Sequence, residues 1–134
     1  KGAAEAGGKV VGVTCREIEN WRPLGANQWV SEVDCQPTLL LRLEKLIQQA
    51  DAAIALPGGP GTLTELALFW NLMIVHAMPK KPLILIGSAW KATFDAYREH
   101  NGINASATDW GLLHFVNSAE AAVKLLQSLT QDKE

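Results

Sequence analysis

The chain has 134 residues, 48% hydrophobic and 19% charged, with a formal net charge of −2 at pH 7. That length fits one domain, residues 1–134, able to bury a sufficient core without disulfides or metal. The nearly neutral, unclustered charge argues against a nucleic-acid polymer or an acidic membrane as partner, and no apolar run reaches the roughly 20 residues of a membrane span.

The opening KGAAEA has a helical pattern that Gly7-Gly8 should stop, as glycine does beyond a helix C-terminus. A helix entered in mid-course leads to the expectation that a longer protein precedes Lys1. Lys9 to Cys15 is a buried-strand run. Arg16 to Asn27, with Pro23, Gly25 and Asn27, is expected to be a surface loop. Gln28 to Val33 alternates like a short strand. Cys15 and Cys35 each stand where a strand should end. With no CxxC and no His at ligand spacing, they are expected to be reduced thiols of a cytoplasmic protein, and a metal site has no support.

From Pro37 the period becomes helical, with Leu39, Leu43, Leu46, Ile47 and Ala50 on one stripe. Ala52 to Leu56 is a short apolar strand running into Pro57-Gly-Gly-Pro-Gly61. Thr62 to Met78 is helical and hydrophobic on nearly every side, so it needs cover on more than one face; a second subunit is the economical candidate. Pro79-Lys-Lys-Pro82 is a turn, Leu83 to Gly87 a buried strand, and Ala89 to His100 a helix halted at Asn101-Gly102. Leu112 to Val116 is the last strand. Ser118 then caps a helix that buries Ala122, Leu125, Leu126 and Leu129. Strands alternating with helices predict an α/β fold: a doubly wound, mainly parallel sheet with helices on both faces, Rossmann-like.

In such sheets ligands bind beyond the carboxyl ends of the strands, where loops enter helices. Leu56-Pro-Gly-Gly-Pro-Gly-Thr-Leu-Thr-Glu65 occupies that position. Gly58, Gly59 and Gly61 let backbone approach a ligand and adopt positive φ. The helix that follows offers unpaired N–H groups and a positive dipole end, a seat for phosphate. Thr62-Leu-Thr-Glu65 also reads as a capping box, a purely structural alternative. It leaves three glycines unexplained where one would make the turn. A carboxylate beside phosphate would repel it, so Glu65 is better suited to a sugar that gains positive charge. His76, eleven residues on, is about 16 Å away by helical rise, too far for a dyad with Glu65. The five tryptophans, at 21, 29, 70, 90 and 110, could stack on a base or fill the core; Trp90, after a strand end, is the best placed to stack.

Pro57-Gly58-Gly59-Pro60-Gly61-Thr62-Leu63-Thr64-Glu65 resembles the PGGxGTxxE signature of the LONELY GUY (LOG) family, often labelled "lysine decarboxylase-like". The resemblance runs from the strand ending near Val13 to the final helix. It implies a Rossmann-like domain whose first strand, loop and most of the first helix would precede Lys1. It implies hydrolysis of the N-glycosidic bond of a nucleoside 5′-monophosphate, such as AMP or a cytokinin ribotide, to free base and ribose 5-phosphate. It places an arginine of the preceding helix, here Arg42, beside Glu65 in catalysis, with Gly58, Gly59, Gly61 and Thr62 binding phosphate. Where the family reads Met-His-x-Arg-Lys, this chain has Leu39-Leu-Leu-Arg-Leu43. The resemblance implies a homodimer or higher homo-oligomer, and no cofactor: pyridoxal phosphate would need a Schiff-base lysine, and Lys45, Lys80, Lys81 and Lys91 sit in solvated contexts. The alternative is a non-catalytic nucleotide or molybdenum-cofactor carrier of the same superfamily.

Overall fold

The computed structural model describes residues 1–23 and 25–131. Leu24, in the expected surface loop, and residues 132–134, at the end of the expected domain, lie outside them. The chain divides into two compact units, Lys1–Ala50 and a second beginning at Asp51. Among the described residues every strand pairing is parallel. With helices between the strands, this is a mixed α/β, Rossmann-like arrangement.

In the first unit a short helix α1 (Gly2–Glu5) ends before Gly7, whose φ of +80° shows why glycine stands there. Strand β1 (Val11–Cys15) pairs with β2 (Glu32–Gln36), Val11 opposite Glu32 and Cys15 opposite Gln36. Only Cys15 of β1 is fully buried. Two expectations need correction. Arg16 to Trp21 forms a helix, α2, where a loop was expected. Glu17 and Glu19 in its first turn suit the positive end of its dipole, and it stops two residues before Pro23, whose ring disfavours helix in the preceding residue. The second strand begins four residues and ends three residues later than expected. Asn27 takes Trp29 and Val30 into a turn, its side chain accepting from the Trp29 N–H (2.9 Å) and its carbonyl from Val30 (3.1 Å). Helix α3 (Leu39–Gln49) packs on both strands and buries Leu43 and Ile47.

The second unit is a three-stranded sheet, β3 (Ala53–Ala55), β4 (Leu83–Ile86) and β5 (Leu113–Val116), in that order. Leu83, Ile84 and Leu85 are completely buried, as a central parallel strand covered on both faces requires. Helix α4 (Pro60–Ile74) joins β3 to β4. Helix α5 (Ser88–Asn101), a 3₁₀ turn (Gly102–Asn104) and a short α6 (Ala107–Trp110) join β4 to β5. Both α5 and the final helix α7 (Ala119–Gln131) pack on β4 and β5. The expectation for the stretch between Gly102 and Leu112 missed α6. Its Ser106 and Asp109 form a reciprocal capping box, and those hydrogen bonds hold the Asp109 carboxyl below its ordinary pKa. Ser118 caps α7 as expected, accepting from the Ala121 N–H at 3.1 Å.

Beside these aliphatic residues the core of this unit holds an aromatic cluster. Trp70 of α4 meets Phe94 of α5 edge-on (5.9 Å) and Trp110 of α6 (4.9 Å), while Phe94 also touches Trp90 and Phe115. Trp70 Nε1 donates to the Asp109 carbonyl at 2.8 Å, which ties α6 to α4. Past Val75, α4 closes in a Schellman turn: the Ala77 N–H reaches the Leu72 carbonyl (2.9 Å) and the His76 N–H the Met73 carbonyl (3.3 Å). His76 therefore sits at φ +57°, a left-handed position that glycine normally fills. His76→Gly is expected to raise the stability to urea unfolding by about 1 kcal/mol, since a side chain in that region costs about 1–2 kcal/mol. An unchanged or lower midpoint would mean the imidazole contributes more than the strain it imposes.

Candidate functional site

The glycine loop leaves β3 at its carboxyl end and enters α4, as expected of a ligand edge. Its details differ from the expectation in three ways. Helix α4 starts earlier than Thr62: Gly59 is the N-cap, in extended conformation (φ −96°, ψ −157°), and Pro60 takes the first helical position, where a missing N–H is harmless. Thr62 is thus inside the helix and cannot cap it, so the Thr62–Glu65 capping box does not form. Finally, none of Gly58, Gly59 and Gly61 has a positive φ.

The glycines are needed for space instead. A Cβ on Gly58 would overlap the Thr62 hydroxyl and lie 2.7 Å from Thr62 Cβ, so only glycine lets the helix fold back over the loop. Gly59 and Gly61 have nothing within 4 Å of an added Cβ. Side chains on a helix lean toward its N-terminus, so a methyl at Gly61 would lean toward the end where the free N–H groups point.

That end is open. No side chain caps α4 and its first turn carries no acidic residue. Helix α3 contrasts with it: the Thr38 hydroxyl accepts from the Leu41 N–H (3.3 Å) and the Glu17 carboxylate from the Leu39 N–H (2.7 Å). Those N–H groups are spent within the chain, whereas no side chain among the described residues caps those of the α4 terminus. Glu65 is the sixth helical residue, one and a half turns in and about 9 Å along the axis from Gly59. It is half-buried.

Arg42 belongs to the first unit, on the first turns of α3. Its Nε donates to the Val13 carbonyl of β1 at 2.9 Å. The guanidinium is therefore oriented by the backbone and is not a loose solvated side chain. Leu39, Leu40 and Leu41 just before it are all exposed, Leu40 the most at 77%.

A family model described as "Possible lysine decarboxylase" matches residues 1–126, nearly the whole chain. The chain belongs to this family. It is the LOG, or lysine decarboxylase-like, family that the PGGPGTLTE run resembles. No curated protein matches the chain.

In this LOG-family chain Trp90 does not offer its face to a base. It is 6% exposed, inside the aromatic core, and Trp70 and Trp110 are also buried. What the sequence did not disclose is the direction of its indole: Nε1 donates at 3.0 Å to the carbonyl of Leu56, immediately before the glycine loop. The cysteines fall on paired strands, Cys15 buried and Cys35 exposed, both free thiols. Partial desolvation, then the hydrogen bond to Glu19 (3.5 Å) and that carboxylate's charge, push the Cys35 thiol up, the opposite of an activated nucleophile. Among the described residues no group of three His, Cys, Asp or Glu could hold a metal, and no helix is long and apolar enough to cross a membrane.

Proposed function

We propose that this LOG-family protein hydrolyses the N-glycosidic bond of a nucleoside 5′-monophosphate, AMP or a cytokinin-type ribotide, to free base and ribose 5-phosphate. The uncapped N-terminus of α4 behind a glycine loop carries the reading: it presents donors and positive dipole to a phosphate, with one carboxylate a turn and a half further on. Backbone N–H groups of the loop, with Gly58, Gly59, Gly61 and Thr62, hold the phosphate. Arg42, already oriented through its Nε, has a guanidinium whose terminal nitrogens suit a bidentate phosphate contact. Glu65 stabilises the oxocarbenium-like ribose that forms as the C1′–N bond breaks, or takes a proton from the attacking water. The base leaves with the bonding electrons, and the water oxygen ends on C1′.

Decarboxylation of lysine, which the family description suggests, fits this chain less well. That chemistry runs through a Schiff base on a lysine held in a pocket. Lys45 instead pairs with Asp34 (3.3 Å) and Lys91 with Asp95 (2.6 Å), the latter pair well exposed. We further propose a homodimer or higher homo-oligomer, because α4 leaves Leu63 and Ala67 exposed, and a cytoplasmic location, with which two free thiols agree. The triple leucine before Arg42 favours keeping a second reading, a carrier that binds nucleotide or molybdenum cofactor without turnover. Release of free base and ribose 5-phosphate separates the two: a carrier leaves the nucleotide intact.

A further inference from the structure

The stem of the glycine loop is held at Leu56 by the start of α5, and the next residue, Pro57, lies near the end of β4. Leu56 lies just past the last paired residue of β3, so its carbonyl has no strand partner, and it accepts from Trp90 Nε1 at 3.0 Å. Leu56 is 64% exposed while its donor is buried; the rigid partner is the indole, wedged against Phe94. Trp90 is the third residue of α5, and a helical side chain leans toward the N-terminus, which carries the indole back toward the end of β3. The next residue, Pro57, places Cγ 3.4 Å from where a Cβ on Gly87 would stand. Gly87 adopts φ +112° and its N–H donates to the Val116 carbonyl at 2.8 Å, fixing the end of β4 to β5.

We propose that Trp90 is a positioning residue for the anion-binding loop: its indole N–H sets the direction in which Gly58, Gly59 and Gly61 leave the sheet. This rests on the nucleotide reading of the loop only for its effect on substrate. The indole touches no substrate; it acts through the Leu56 carbonyl. The loop then enters binding already ordered and loses less conformational entropy when a phosphate arrives.

The test compares the full chain with Trp90→Phe, which keeps an aromatic ring in the core and deletes the donor. Backbone ¹⁵N order parameters of Gly58, Gly59 and Gly61 are expected to fall from about 0.85, typical of rigid backbone, to below about 0.6. Those of Phe94 to Arg98 on α5 should stay unchanged. KM for AMP should rise roughly three- to tenfold, the range of one lost hydrogen bond, with kcat within about twofold. Unchanged glycine order parameters, a loss of order spread over all of α5, or an unchanged KM beside a loosened loop would each overturn the proposal. If Trp90→Phe does not fold, benzothienylalanine at position 90, isosteric and without the N–H, is read the same way. If the unaltered protein neither binds nor cleaves AMP or an N⁶-isopentenyl ribotide, the nucleotide reading fails, and the order parameters still decide whether Trp90 sets the loop.

Discussion

Glu65→Gln is expected to lower base release from a nucleoside 5′-monophosphate by about 10²–10⁴-fold, the range of a positioned acid–base or charge-stabilising group. The amide keeps the shape of the side chain and its place in α4, so the unfolding midpoint and nucleotide affinity should change little. Phosphate binding belongs to the loop and the α4 terminus, and removing a negative charge from their neighbourhood should tighten it slightly if it changes it at all. Steady-state kinetics with calorimetric titration of AMP checks both halves. A variant with undiminished kcat would remove Glu65 from the chemistry.

Alanine substitutions in the loop separate the structural from the ligand-binding use of glycine. Gly58→Ala is expected to destabilise the second unit by about 1–3 kcal/mol, the range of overpacking, because the new methyl meets both Oγ1 and Cβ of Thr62 and a rotamer change moves only the former. Gly61→Ala should do the reverse. It sits in the second helical position with open space around it, and alanine is the better helix former by up to about 1 kcal/mol. Its methyl leans toward the α4 terminus, so nucleotide affinity should fall by about tenfold or more even as the unfolding midpoint rises. Opposite movement of stability and affinity is the mark of a residue kept small for a ligand. If Gly61→Ala binds AMP as well as the parent chain, the glycine there serves only the turn.

Most of the second unit was legible because its elements are marked by strong local signals. Leu83 to Ile86 is apolar throughout because it is the central strand, and Ser118 caps α7 through its hydroxyl as its position suggests. Where the signal was weak, tertiary context decided. Strand β2 contains Glu32, Asp34 and Gln36 and owes its position to pairing with β1 and to the Asn27 turn, neither visible as an apolar alternation. The pull of Pro23, Gly25 and Asn27 hid six helical residues of α2. Ser106 and Asp109, three residues apart, cap α6, but a helix of a single turn carries no periodicity that would mark it.

The candidate site shows the same division. The glycine loop and Glu65 stand out by residue type and spacing along the chain, whereas Arg42 is pointed to only by the resemblance to the LOG family. The reason for Gly58, a clash with Thr62 and not a positive φ, depends on where α4 begins, and that start was misplaced by taking Thr62 as the cap. Two contacts of candidate residues, Arg42 Nε to the Val13 carbonyl in the first unit and Trp90 Nε1 to the Leu56 carbonyl in the second, join residues 29 and 34 positions apart. No local pattern encodes a side chain that reaches a backbone carbonyl on another element.

Timed incubation of the protein with AMP and with an N⁶-isopentenyl ribotide, with chromatographic measurement of free base and ribose 5-phosphate, decides whether the bound nucleotide is cleaved. Both products are expected to accumulate in equal amounts from at least one of the two nucleotides, and the matching nucleoside, lacking the phosphate, to be cleaved far more slowly. Nucleotides left intact after prolonged incubation, though bound by the protein, would contradict the proposed hydrolysis and leave a carrier in place of a hydrolase.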